Sequence, residues 1–392
     1  GDVTVNNRLL LTSTTGTQYA VNTSVETAYT QSNLAISRAN TALPNANTTL
    51  AGTLTITGDL VPSSSFMRNK IINGDGNIAQ RGSNTALTST VSYVSVDRWA
   101  ARQIGTPSAF LAKNTTVVPT GFASSIQTFR PNGATTTGVV ELIQVMESVN
   151  SIPLQNTAVT FSFYAKAGAN FSAASSNVVV SLFTGTGTDQ SAASMGSWTG
   201  VTSPLYTTQA VTTTWTRYTY TVNVPATATQ LGVYFNWTPS GTAGADDSLY
   251  VTGVQLEQGS NATPYERRQY QQELALCQRY YLQWTGSSAT YGYLSIGSGF
   301  TSTTNQIIVM IPTPVTMRST ASLPSASFSG NIVLQTGVTS ASASAINIVY
   351  VSGPNSVFVA FSQAGTTFTI GNAAVAYTDK ATTSIFALTS EL

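Results

Sequence analysis

Asp246 and Asp247, with Glu257 on the same expected hairpin, are the acidic residues whose spacing comes nearest to a hydrolytic set. Cleaving a glycosidic bond takes two carboxyl groups, one to protonate the leaving oxygen and one as base or nucleophile. Adjacent residues of an extended segment point to opposite faces, so Asp246 and Asp247 do not aim at one bond. A short acidic turn of this kind is expected to be hydrogen-bonded, or to hold Ca²⁺ through its oxygens, and no other cofactor is expected. The chain has no His and a single Cys, Cys277. Ser-His-Asp and Cys-His catalysis are therefore excluded, and the commonest metal ligand is missing. No internal disulfide can form. Leu274, Leu276 and Tyr280 around Cys277 read as a buried helix face. No catalytic residue is assigned.

Two further constellations read as structural. In Asp97-Arg98-Trp99 the Asp and Arg are expected to pair at a sheet edge while Trp99 fills the core. Glu257 with Arg267 or Arg268 is expected to form a buried clasp that ties a closing helix to the last strand, since an Arg fork suits a carboxylate. Recognition of a sugar needs different groups, aromatic faces for the ring's C–H groups and polar side chains for its hydroxyls. Trp198, Tyr206 and Trp237 lie in or beside turn-rich segments, where ligand-contacting side chains concentrate. Tyr291 and Tyr293 in Ala-Thr-Tyr-Gly-Tyr-Leu, and Asp379 with Lys380 beside Tyr377, are the corresponding candidates near the C-terminus.

A scaffold of strands must position these groups. Of 392 residues 42% are apolar and 9% aromatic, enough to fill cores, whereas only 8% are charged and the net charge is +1. No field that neutralises phosphates arises from such a chain, so nucleic-acid binding is not expected. No apolar run is long enough for a membrane span, and no signal peptide opens the chain; Gly1 in place of Met leaves a preceding segment unjudged. Residues 1–23 read as an N-terminal strand and attachment segment. Over 24–43 the period changes: Val25, Ala28, Ser32, Ala35, Ala39 and Ala42 form an a/d seam flanked by Tyr29, Ile36 and Leu43. A helix this short with such small seam residues is marginal alone, so a parallel self-associating coiled coil is expected, as a homotrimer. Residues 44–66 alternate like a short β shaft and linker.

Residues 67–284 carry period-two runs such as Val159, Phe161, Phe163 and Ala165, or Leu231, Val233, Phe235 and Trp237. Two packed antiparallel sheets of jelly-roll type are expected, closed by a helix over 265–282. Residues 285–392 are again all-β, with Arg318, Asp379, Lys380 and Glu391 as their only charges. So uncharged a domain is expected to hide surface against copies of itself. The fold class is thus mainly β.

Several stretches of 67–284 resemble bacteriophage tail-fibre proteins that carry a carbohydrate-binding-module-like sandwich. They are Asn69-Lys-Ile-Ile-Asn-Gly-Asp-Gly-Asn-Ile-Ala-Gln-Arg-Gly82, Asp97-Arg98-Trp99, Trp215-Thr-Arg-Tyr-Thr-Tyr-Thr-Val, and Leu256-Glu-Gln-Gly with Tyr265-Glu-Arg. The ending Ile385-Phe-Ala-Leu-Thr-Ser-Glu-Leu392 is similar to that of many tail-fibre tip domains. The resemblance implies a virion protein, made in the host cytoplasm, that joins other phage proteins at its N-terminus and binds host surface glycan without chemistry. A structural spacer, a head fibre and a glycan-degrading tailspike are its alternatives.

Overall fold

Segments in which polar and apolar residues alternate have one face to bury, and this chain buries it by pairing strands into sheets that pack face to face. The computed structural model describes residues 67–290, 292–318, 325–337, 339–353, 355–365 and 367–392, and of 347–353 the backbone alone. The attachment segment (1–23), the heptad helix (24–43), the shaft (44–66) and Tyr291 lie outside the described residues. The chain divides into Gly1–Pro62 and Ser63–Leu392, and the described residues all belong to the second unit.

Its first strands are β1 (Asn84–Ala86), β2 (Ala100–Gln103), β3 (Phe110–Asn114), β4 (Ser125–Arg130), β5 (Val140–Val145), β6 (Ala158–Ala167), β7 (Asn177–Gly185), β8 (Thr202–Ala210), β9 (Thr216–Asn223), β10 (Gln230–Trp237) and β11 (Asp247–Gln258). They form a six-stranded sheet, β1-β3-β4-β11-β6-β9, and a five-stranded sheet, β2-β5-β10-β7-β8. The alternating apolar residues meet between them in one core. There Phe163 of β6 meets Phe235 of β10 edge to face at 4.9 Å, with Phe161 at 5.7 Å and Trp99 at 6.4 Å from the same ring. The mainly β, sandwich-like expectation is met.

The Asn- and Gly-rich opening segment plugs an irregularity in this sandwich. Register between β11 and β6 shifts between Thr252 and Gln255, which leaves backbone groups to be satisfied elsewhere. Asn69 supplies them, its Nδ2 donating to Val254 O at 3.1 Å and its Oδ1 accepting from Leu256 N at 3.1 Å. Gly74 is required at this contact, since a Cβ there would lie 2.2 Å from Val254 O. Asn73, at φ 56°, ties Ile78 and Asp97 together and accepts the Trp99 indole N–H on its carbonyl.

Asp97 and Arg98 do not pair with each other, contrary to the expectation. Arg98 takes a left-handed backbone (φ 71°), which turns the two side chains to different partners. Asp97 accepts from Gln80 Nε2 at 2.6 Å and pairs with Arg81 at 3.3 Å, while Arg98 reaches Val145 O and Glu391. Trp99 fills the core as expected. Burial pushes the Asp97 carboxyl up to about 6 against the pull of Arg81 and Gln80. An unfolded Asp titrates near about 3.9. Between these values the folded chain keeps a proton that the unfolded chain releases, so stability falls as pH rises. Asp97→Asn will remove a decline on the order of 2 kcal/mol between about pH 4 and pH 6.5. Urea titrations at both pH values check this; parallel pH profiles for the two proteins would refute it.

The closing helix is shorter than expected. α1 spans Tyr270–Gln278, not 265–282. Residues 265–269 stay extended because Glu266 accepts from the backbone of Met67 and Asn69, and Arg268 donates to Asn69 and Ile71. Those partners alternate along a strand-like segment, which a helix could not present. The expected tail of the helix is strand β12 (Tyr281–Thr285), which pairs with the last strand of the C-terminal region.

That region comprises β13 (Leu294–Thr303), β14 (Gln306–Pro312), β15 (Ser325–Ser329), β16 (Ile332–Thr336), β17 (Ser340–Ser342), β18 (Ala345–Gly353), β19 (Ser356–Ser362), β20 (Ala373–Thr378) and β21 (Ile385–Thr389). A three-stranded sheet β12-β21-β15 and a seven-stranded sheet β17-β16-β20-β13-β14-β19-β18 enclose a second core around Phe361, Phe386, Ile307 and Leu334. It joins the sandwich through ion pairs. Arg318 pairs with Asp189 at 3.6 Å, and Glu391 binds both Arg81 and Arg98, while Arg279 at the end of α1 holds Glu147 with two hydrogen bonds at 2.7 and 2.8 Å.

Candidate functional site

The five-stranded sheet has a second face, turned away from the core, and its register lines polar side chains up across the strands. On β10 Leu231, Val233, Phe235 and Trp237 point into the core, so Gly232, Tyr234 and Asn236 point outward. Arg102 stands opposite Glu141, Glu141 opposite Asn236, Asn236 opposite Val179, and Val179 opposite Thr208. The neighbouring row runs Ala100, Ile143, Tyr234, Ser181 and Tyr206. Two adjacent rows thus cross all five strands.

Tyr234 of the second row links residues of the first into a bonded chain. Arg102 Nε donates to Glu141 Oε2 at 2.6 Å and its Nη2 to Oε1 at 3.2 Å. Tyr234 donates to Glu141 Oε1 at 3.0 Å and accepts from Asn236 Nδ2 at 2.9 Å. The hydrogen bond that Arg102 donates to Glu141 raises its guanidinium above the ordinary value. Burial, then the Glu141 charge, pushes the Tyr234 phenol up as well, so it remains a donor at neutral pH. A charge-assisted chain of this kind holds each side chain in one rotamer. Arg102 is still 32% exposed, and Tyr206 on the outermost strand is 65% exposed. Beside Asn236 a cavity of about 290 Å³ opens between Asn177, Val179, Thr238 and Pro239.

The opposite end of the face is closed. Trp198 is buried there against Val145, Met195 and Leu392, and its indole N–H donates to Ser191 O at 3.0 Å. Gly232 permits this cover, since a Cβ would lie 2.8 Å from Met195 Sδ and 3.0 Å from Trp198. Tyr93 donates to Leu392 O at 2.9 Å.

Of the three sandwich aromatics singled out in the sequence, Tyr206 alone stands at the surface. Trp198 is 2% exposed because its loop folds back onto the sheet, and Trp237 is 2% exposed because it continues the core side of β10. The three do not converge on one ligand position. Arg102, Glu141, Tyr234 and Asn236 went unnoticed in the sequence. Their signal is present, polar residues at alternate positions of apolar strands, but pairing them requires the strand order.

The acidic residues are not gathered on this face. Asp247 is fully buried and pairs with Arg130 at 2.7 Å, while Asp246 accepts from Tyr250 OH at 2.9 Å. They point to opposite sides, and among the described residues no group of three metal-ligating side chains forms. Glu257 does not clasp Arg267 or Arg268. It pairs with Arg68 at 3.4 Å and accepts from Thr263 N at 2.9 Å. Arg267 instead lies over the Phe122 ring at 4.2 Å, and Arg268 pairs with Glu273 at 3.2 Å. The physical reason is the extended path of 265–269, which turns Arg267 to Gly121 and Phe122 and Arg268 to the opening segment and α1.

In the C-terminal region Tyr293 is half exposed and meets Tyr377 edge to face at 5.4 Å, with Lys380 Nζ 5.0 Å from the Tyr293 ring centre. Tyr377 donates to Gln335 Oε1 at 2.6 Å. Asp379 caps a turn, accepting from Ala381 N at 3.0 Å and from Ser384 Oγ, and that hydroxyl holds its carboxyl below the usual value.

No protein-family model matches the chain, and no curated protein does. Similar solved structures include the enzymatically active domain of tailspike protein 4 of bacteriophage CBA120, at 16% identity over 49% of this chain with a TM-score of 0.32. The chain spans 22% of that domain's own length. A CBM4 structure is similar at 17% identity over 48% of this chain and 98% of its own, with a TM-score of 0.30. TmCBM61 in complex with β-1,4-galactotriose is similar at 8% identity over 49% of this chain and 99% of its own, with a TM-score of 0.28.

Proposed function

We propose that the chain is a bacteriophage tail-fibre subunit that assembles in threes and attaches to host surface glycan through the outer face of β2-β5-β10-β7-β8, without cleaving it. One observation carries the glycan part. A row of donors and acceptors, Arg102–Glu141–Tyr234–Asn236, is fixed between an exposed tyrosine and a small cavity, with Glu141 buried and the other three partly reaching solvent. Hydroxyl groups need such fixed polar partners, and the Tyr206 ring offers a face for C–H groups. Glu141 is neutralised by Arg102, Asp247 and Glu257 are bound to arginines elsewhere, and Asp246 accepts from Tyr250 OH and Ala169 N, which favours gripping over hydrolysis. The motif resemblance of residues 67–284 and 385–392 supports the fibre part. In this reading the N-terminal segment joins other phage proteins.

A glycan array probed with the full chain, followed by binding to whole host cells, tests the proposal. Tyr206→Ala will weaken retention about tenfold, the worth of one aromatic contact, and Asn236→Ala about fivefold. A blank array together with unbound cells would remove the adhesion reading. Shortening of host polysaccharide on incubation would instead restore the tailspike alternative. The Tyr293–Tyr377 pair with Lys380 is a second, smaller platform with exposed rings. Tyr293→Ala separates the two sites, since it leaves retention unchanged if the sandwich face binds.

A further inference from the structure

The seven-stranded sheet of the C-terminal region also has an outward face, and its chemistry is the reverse of the sandwich face. Register places Gln335, Val375, Ser298, Met310 and Phe358 in one row across five strands, with Phe300 beside Met310. Val375 is 38% exposed, Met310 45% and Phe300 47%. None of these six is charged. The four charges of residues 285–392 do not relieve this. Arg318 and Glu391 are buried in ion pairs with the sandwich, Asp379 caps its own turn, and Lys380 sits over Tyr293. Three large apolar groups, Val375, Met310 and Phe300, left in water on so uncharged a domain mark an interface.

We infer that this face is where copies of the chain pack against one another, each presenting it to the next. Two features select a second copy as the occupant. A partner with ordinary charged surface would have to strip water from charges that this face cannot pair. The face carries both halves of a fit: the Met310 and Phe300 side chains project beside an open groove of about 620 Å³ lined by Ser298, Gly299, Gln335 and Val375. A knob and a groove offset on one surface form a head-to-tail contact, which closes into a ring when the rotation allows. The row's five strands at about 4.8 Å spacing and about five residues at about 3.3 Å give a footprint on the order of 400 Å² before side-chain relief, about half the roughly 800 Å² per partner of a standard interface, so the contact holds when it is repeated around a ring.

The inference rests on the self-association in the proposed function and is independent of its glycan part. Val375→Cys in the full chain tests it by maleimide labelling, with the buried Cys277 silent and Thr213→Cys as an exposed reference. Sedimentation velocity on the same samples gives the mass. Expected is an oligomer in which position 375 labels at least tenfold more slowly than position 213, the rate recovering on dilution to monomer. An oligomer that labels equally fast at both positions overturns the assignment of this face while sparing self-association. A monomer at micromolar concentration overturns both. Met310→Glu is the second variant. It will lower the sedimenting mass with the circular dichroism spectrum kept, and an unchanged mass counts against this face.

Discussion

Arg130→Ala will cost about 3–5 kcal/mol of stability, because it strands Asp247 as an unpaired charge in a fully buried site. Arg130 and Asp247 both have no exposed side-chain surface. Arg130 Nε donates to Asp247 Oδ2 at 2.7 Å, and Ser172 N donates to Oδ1 at 2.7 Å. The remaining guanidinium N–H groups reach the carbonyls of Thr136 at 2.8 Å, Gly241 at 3.0 Å and Ser240 at 3.2 Å. One arginine thus fastens three loops at the end of the sandwich. A buried ion pair can often be replaced by two apolar residues at little cost. Here Arg130→Met with Asp247→Leu will not restore stability, since those loop carbonyls would be left unsatisfied. Thermal unfolding will show the single variant melting about 6–20 °C lower. A shift under about 2 °C would mean the loops are held by other contacts.

The same pair shows what the sequence made legible. Opposite faces for Asp246 and Asp247 follow from strand geometry alone, and the structure places them so. Arg130 could not be named as the partner, because the register of β4 against β11 brings it opposite Asp247 across more than a hundred residues. Strands were readable from alternation, including both halves of the aromatic core. What alternation does not give is which side of a strand meets another layer. Trp198 shows the limit: a tryptophan in a Gly- and Ser-rich loop reads as exposed, yet the loop folds back to cover Gly232. The 265–282 segment shows another. Its lack of Gly and Pro gave a helix, whereas tertiary hydrogen bonds to Glu266 and Arg268 held its first third extended. The charged side chains of 265–282 serve as a joint, with partners drawn from residues 67–73, 121, 147 and 316, and the Arg81–Glu391–Arg98 network lies beside Tyr280 and Tyr281.

That joint is where a single substitution should separate the molecule's two described parts. Arg98 is 1% exposed and has Glu391, the Val145 carbonyl and the Tyr280 ring, 3.5 Å from its guanidinium carbon, as its surroundings. The Glu391 charge keeps the Arg98 guanidinium more firmly protonated than usual against the opposing effect of burial. Glu391→Ala removes the carboxylate shared by Arg81 and Arg98 and leaves a buried cation facing an aromatic ring, at a cost of about 3–5 kcal/mol. Because Glu391 belongs to the C-terminal region and both arginines to the sandwich, that cost falls on the contact between them. Each part keeps its own core. Calorimetry will therefore resolve two transitions in the variant where the unaltered chain gives one, the charge network having coupled their unfolding. The neighbouring Leu392, which covers one end of the outer sheet face, will loosen with it and expose Trp198, so its fluorescence will become accessible to a neutral quencher below the first transition. One cooperative transition in the Glu391→Ala protein, at the unaltered temperature, would show that Arg318 with Asp189 suffices to hold the two together.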